Sequence, residues 1–468
     1  MIKKIFYRSS IPDRTVQDTF LFSVRDLFIV ARLLFFVSVC SFAQDTTEVH
    51  QETVLIPDST LEIDSVLISG NEHTQEMVIL REMSLKPGIR ITSEALQYDQ
   101  ARIYSVGLFT QVELTVLPKS QEKANILVHV NERWYLVPFP VFGIKEGDWH
   151  KAYFGLGLVH NNFRGRNEKV YLVGVAGYDP WGAIAYRNPF LDSSGAYYYD
   201  GRLSYNRVRN KSTAVLVNPA DQFDEIHFTF SNSIGKRWDN YNTGWIFAEY
   251  DMVDISGYDH NTTISSSGID RFFVFGAGYS YDTRDLAEFP GSGAFARASV
   301  TKYGFPGKEL DNVRYGLDVR EYLPVVDGLV SASRATTNLM AGSISPSYNH
   351  VYTGYDYRIR GHYSEVIEGE DMLGVSTELR LTILSPRYYK TNRLPSQFGV
   401  WRFAVALAVF GDAGMVWFRH TPVALNRFVK GYGAGIDFLL PYSFVLRTEY
   451  ALNEIRQGQF IFDLGAAF

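Results

Sequence analysis

Residues 375–383 read Val-Ser-Thr-Glu-Leu-Arg-Leu-Thr-Ile. Val375, Thr377, Leu379, Leu381 and Ile383 share one face, and Ser376, Glu378, Arg380 and Thr382 share the other. A period of two is the signature of a β-strand. An apolar face backed by a charged one suits a strand with lipid on one side and a wet interior on the other. The pattern recurs along the chain. Phe228 and Phe230 alternate with Thr229 and Ser231; Ala296, Ala298 and Val300 with Arg297, Ser299 and Thr301; Phe444, Leu446, Thr448 and Tyr450 with Val445, Arg447 and Glu449. Charge is costly against lipid, so Arg297, Glu378, Arg380, Arg447 and Glu449 are expected to face the interior. Beyond the N-terminus no apolar run reaches the ~20 residues of a membrane helix. Such a chain spans a membrane as a barrel or not at all.

Composition agrees. Aromatic residues make up 15% of the chain, with Tyr 30 and Phe 33, which suits interfacial girdles. At roughly 20 residues per strand and connection, residues 133–468 predict a transmembrane antiparallel β-barrel of about sixteen strands. A soluble β-sandwich or propeller is the alternative, but no blade-length repeat is present. A net charge of −6 argues against a nucleic-acid partner, and a single Cys excludes an intramolecular disulfide.

The first 43 residues read as a signal peptide. Arg32 precedes an apolar run from Leu33 to Cys40, and Ser41-Phe42-Ala43 places small residues at −3 and −1. The basic region before it is unusually long, which admits a later translation start. Val39 is a poor fit for lipidation at Cys40, so Cys40 is expected to leave with the signal. Residues 44–60 are polar and unpatterned and read as a flexible linker.

Residues 61–132 read as a small α+β domain of order β-α-α-β-β. A strand from Leu61 ends at Gly70-Asn71. A helix capped by Thr74 carries Ile79, Leu80 and Met83 and stops at Pro87-Gly88. A second helix, capped by Thr92, carries Leu96, Ile103 and Val106 and closes at Gly107. Two alternating strands follow, with Val112, Leu114 and Val116 on the first and Ile126, Val128 and Val130 on the second.

Two further stretches complete the picture. Arg358-Ile359-Arg360-Gly361-His362-Tyr363 lies in a long polar loop ahead of the strand at 375–383, and Phe410-Gly411-Asp412-Ala413-Gly414 follows downstream. A buried Arg needs an acidic partner, and Asp412 offers one. These motifs resemble the BamA/TamA family of outer-membrane assembly and translocation proteins. The resemblance implies that Arg360 and Gly361 form a loop tip folded back into the barrel to meet Phe410 and Asp412. His362 departs from the family's usual aromatic. Asn162-Phe163-Arg164-Gly165 is similar to the family's early turn, and Asp282, Arg284, Asp285, Pro290 and Gly293 to its mid-barrel hairpin. Gly431, Gly433, Gly435 and Pro441 match its penultimate hairpin. Phe460, Phe462, Leu464 and Phe468 resemble its closing strand with a C-terminal aromatic, the barrel-insertion signal. Residues 61–132 resemble its periplasmic POTRA module through Gly70-Asn71, Thr74, Gly88, Leu96, Asp99, Gly107, Phe109 and Val112. Family insertases carry several such modules, and this chain has room for one.

Enzymatic motifs are weak. Asp282, Arg284 and Asp285 read as a hydrogen-bonded turn or ion pair before an acid-base cluster. Gly431-x-Gly433-x-Gly435 lacks the βαβ context of a dinucleotide loop. No metal-ligand His spacing and no Gly-x-Ser-x-Gly elbow occur, so no metal, cofactor or catalytic residue is expected. The resemblance implies an outer-membrane protein acting in barrel-protein assembly or in protein translocation. Its partners would be the lipid bilayer, unfolded or secreted clients added as a strand to the POTRA edge at Val112, Leu114 and Val116, and periplasmic accessory proteins. A passive outer-membrane channel or surface protein is the alternative, and a barrel-embedded envelope enzyme a further one.

Overall fold

The computed structural model describes Thr47–Val49 and, from Leu61 to Leu464, all but short connecting segments, of which 391–399 is the longest. The signal at 1–43, most of 44–60 and Phe468 lie outside the described residues. Strand β1 (Thr47–Val49) precedes a β-α-α-β-β unit: β2 (Glu62–Ser69), α1 (Glu76–Leu80), α2 (Ser93–Ser105), β3 (Phe109–Pro118) and β4 (Lys123–Glu132). Eleven strands follow: β5 (Leu136–Ile144), β6 (Ala152–Phe163), β7 (Glu168–Gly177), β8 (Trp181–Asn188), β9 (Tyr197–Arg209), β10 (Asp224–Arg237), β11 (Asn242–Asp254), β12 (Ile269–Asp282), β13 (Gly293–Gly304), β14 (Asp311–Val326) and β15 (Leu329–Gly342). After the short pair β16 (Val351–Tyr352) and β17 (Glu368–Gly369) come β18 (Asp371–Lys390), β19 (Val400–Trp417), β20 (Val429–Leu440), β21 (Phe444–Asn453) and β22 (Gly458–Leu464).

The large strands build one antiparallel sheet of sixteen, the number expected. Each neighbours the next in sequence, β15 pairs with β18, and β22 takes its place beside β5. Period-two patterning decides the faces. Phe154, Leu156, Leu172, Ile184, Ile246, Leu317, Leu379 and Val409 are exposed on the outside, whereas Glu378, Arg380, Arg447 and Glu449 are buried inside. Arg297 also faces inward, its guanidinium 4.5 Å from the ring of buried Trp245.

In the small domain β4 is central, parallel to β2 and antiparallel to β3. Its core joins Ile63, Ile79, Met83, Ile103, Phe109 and Val128. Thr92 caps α2 as expected, accepting from the Ala95 amide. Thr74 does not cap α1, whose N-cap is Gln75 without a side-chain bond. The Thr74 hydroxyl is instead engaged by Tyr135 and Asn162. Helix α1 is a single turn and ends before Met83, which reaches the core from the following loop.

β3 is an edge strand, and its Val112, Leu114 and Val116 point into the core, because the sheet buries that face against the helices. One further expectation is corrected. The lead-in at 44–60 is not wholly a free linker, since Thr47–Val49 pairs with β18.

The facing pattern makes a direct prediction. Leu379→Arg, on the lipid face, is expected to destabilise the folded barrel by about 2–4 kcal/mol if it lies near mid-bilayer. Urea unfolding in lipid vesicles measures the loss.

Candidate functional site

Loop 343–370 leaves β15 and turns back into the interior. Arg360, 4% exposed, lies within reach of three carboxylates. Its Nε and Nη2 donate to the two oxygens of Asp412 on β19, each at 2.7 Å, a fork-to-fork pair. Its backbone N–H donates to Asp412 Oδ2 at 3.0 Å. Nη1 donates to Glu378 on β18 at 2.6 Å and to Glu449 on β21 at 3.1 Å. The guanidinium carbon sits 3.6 Å from the centre of the Phe410 ring, adding a cation–π contact. Arg380 donates to Glu378 at 2.6 Å, and Arg447 bridges Glu449 at 3.0 Å and Asp463 at 2.8 Å. One loop residue thereby ties together three strands of the wall.

Glycines make room for it. Gly361 has φ +96°, and a Cβ there would stand 2.8 Å from the Leu452 carbonyl oxygen. Gly431 matters more, because a Cβ at that position would lie 1.5 Å from the carbonyl oxygen of Arg360. Tyr357 and Ile359 pack over Gly374 and Gly414, and the Tyr357 hydroxyl reaches Ser376 Oγ at 2.8 Å.

His362 is buried beside the tip, with Nδ1 2.9 Å from Glu365 and Nε2 2.6 Å from Glu454. Burial disfavours its charge, but the two carboxylates outweigh burial and hold its pKa above the ordinary imidazole value. The rest of the loop is bound to the outer connections. Glu368 takes His350 at 2.6 Å and the Ser212 hydroxyl at 2.5 Å, and Tyr348 donates to Asp270 at 2.6 Å.

At the opposite end the small domain lies against the turns of the barrel. Its core takes in Phe190 and Leu286, and Phe289 packs on it. Arg81 donates to the Pro189 carbonyl at 2.7 Å and stands 4.6 Å from the Phe190 ring centre. Glu82 bonds Arg237 at 2.7 Å and Arg102 at 2.9 Å. Burial alone would raise the Glu82 pKa, but Arg237 and then Arg102 bring it down to about 2. Asn162 donates to Thr74, and Gly165 lies against the His73 carbonyl.

The Asp282–Asp285 group is a turn. Arg284 forks onto Asp282 at 2.8 Å, and Asp285 accepts from the amides of Leu286, Gly291 and Ser292. Pro290 is buried there, and Gly293 opens β13. Phe462 and Leu464 lie on β22.

The resemblance brought Arg360, Gly361, Phe410 and Asp412 together, and the structure does too. Glu378 and Glu449 were legible as interior charges, but not as ligands of Arg360. The seats at Gly374, Gly414 and Gly431 had only their small size as signal. The Glu82–Arg237 pair spans 155 positions and had none.

A family model for the Omp85 superfamily domain matches residues 162–468. The chain belongs to the Omp85 superfamily. A second model, a POTRA repeat described as a surface antigen variable number repeat, matches residues 61–133. BamA from Haemophilus ducreyi lacking POTRA domains 1–3 is similar in fold, with TM-score 0.52 and 17% identity over 95% of this chain and 94% of that one. CdiB from Escherichia coli is also similar, with TM-score 0.54 and 11% identity over 95% and 83%. The protein is thus an Omp85 outer-membrane protein of the class that assembles or secretes other proteins, with its POTRA on the periplasmic side.

Two predictions follow from the loop tip. Arg360→Ala strands Asp412 and is expected to cost roughly 3–5 kcal/mol, and Gly431→Ala is expected to expel the tip with every charge intact. Limited proteolysis of loop 343–370 from outside and heat-induced unfolding on gels both read the loss. The His362 pKa is raised on folding, so its contribution is fully present below the ordinary imidazole range and fades as pH rises through the raised value. Cleavage of the loop is expected to increase over that rise, and His362→Gln is expected to flatten the profile.

Proposed function

We propose that the protein inserts or translocates client polypeptides at the outer membrane. The POTRA would capture an extended client by strand addition, and the barrel would offer the route into or across the bilayer. The observation that carries this reading is the shared core of the two domains. Phe190, Leu286 and Phe289 of the barrel turns pack on the POTRA interior, which holds the edge strand β3 beside the periplasmic end of the sheet. Backbone hydrogen bonding to an edge is tolerant of sequence, as handling of many clients requires. The edge is partly shielded, because Gln100 Nε2 donates to the Val112 carbonyl at 2.7 Å. The segment beyond it, from Glu113 to Leu117, is the part proposed to receive the client.

Access to lipid through the seam between β5 and β22 belongs to the same proposal. A passive channel is the second reading. The loop packed around Arg360 in the interior weighs against it, because a steady pore needs an unfilled lumen.

The test is reconstitution in liposomes with an unfolded outer-membrane protein as client. The expected result is faster client folding, with a photo-crosslinker at exposed Thr115 capturing the client. A folded barrel that gives neither acceleration nor capture, and that conducts steadily in single-channel recordings, would move the assignment to a channel.

A further inference from the structure

β18 and β19 are longer than their neighbours, and the excess lies at the POTRA end. On β18, pairing with β15 stops at Leu381, where Leu329 begins that strand. On β19, pairing with β20 stops at Ala404. Residues 384–390 and 400–403 therefore form a two-stranded ribbon beyond the sheet, paired mainly with each other. A lone two-stranded ribbon is marginal, and its outer edges are templates for another strand.

The β18 edge is graded. Register shifts fall between Thr382 and Leu384 and between Leu384 and Arg387, and Pro386 in the second has no N–H. Bulges and proline block strand addition near the sheet. Regular pairing resumes at Arg387, and from Tyr388 the chain's own β1 docks antiparallel, with Thr47 opposite Lys390, Glu48 opposite Tyr389 and Val49 opposite Tyr388.

We propose that the Tyr388–Lys390 edge is a docking site for an extended polypeptide, and that β1 is its resident occupant, displaced when a client strand arrives. Three residue pairs bind weakly by themselves. The segment holds its place because it is tethered through residues 50–60 to the POTRA, which keeps its effective concentration high. A client held on the POTRA gains the same advantage. The site lies beside that domain, with Arg402 of the ribbon 5.4 Å from the Tyr104 ring centre of α2. The inference rests on the reading of the protein as a handler of extended clients, but it concerns a different edge from β3.

The experiment uses the full chain in outer-membrane vesicles. Cysteines at Glu48 and Tyr389 face each other in an antiparallel pair, a separation that a disulfide spans, and are expected to cross-link on oxidation, whereas Glu48 with Val375 is not. With a photo-crosslinker at Tyr388, capture of a denatured eight-stranded outer-membrane protein is expected to rise at least threefold when residues 45–52 are removed. It is expected to fall by a similar factor when the 48–389 disulfide is closed. Absence of the disulfide, or capture unchanged by both manipulations, overturns the proposal. Capture at Tyr388 without capture at Thr115 would sink the POTRA reading and leave this one standing. The reverse would do the opposite.

Discussion

The guanidinium of Arg360 is the group on which the structure of the barrel interior depends. A cation taken out of water costs several kcal/mol unless its hydrogen bonds are replaced. Here Asp412, Glu378 and Glu449 replace them from three strands, and Phe410 covers the face. The same requirement explains the wall around it. The strands must place acidic side chains inward at matching heights, and Gly431 must leave space for a backbone carbonyl where any larger residue would collide. The loop is therefore a structural part of the barrel rather than an appendage to it.

Contacts continue from that cluster toward the periplasmic domain. Glu378 also holds Arg380, whose guanidinium lies 4.8 Å from the Phe289 ring centre. Phe289 packs on the POTRA core and on the patch formed by Ala404, Leu439 and Val445. The POTRA is not a bead on a string, because part of the apolar surface that completes its core belongs to barrel turns. A domain of about seventy residues buries little surface on its own, so borrowing Phe190 and Leu286 contributes to its stability as well as to its position.

Much of this was legible in the sequence because it is local. Alternation at 375–383 gave the facing of β18, and the turns at Gly70, Gly88 and Gly107 ended the first strand and the two helices of the small domain. Its order of elements and the count of sixteen strands followed from the same rules. Val112, Leu114 and Val116 alternate with polar neighbours, and that pattern puts them on the core face of β3. What escaped depended on contacts far apart in the chain. Thr74 looked like a helix cap, but Tyr135 and Asn162 claim its hydroxyl. The pairing of β1 with β18 lies in a stretch that shows no period at all. The acidic set around Arg360 was visible as interior charge, but its convergence on one residue needed the folded loop.

The most direct test of this account is a double-mutant cycle between Arg360 and Asp412, read as thermal unfolding of the barrel in lipid vesicles. If the buried pair organises the interior, Asp412→Ala added to Arg360→Ala will cost far less than it does alone, because its partner is already gone. Additive losses from the two substitutions would contradict the claim and show that each residue acts separately.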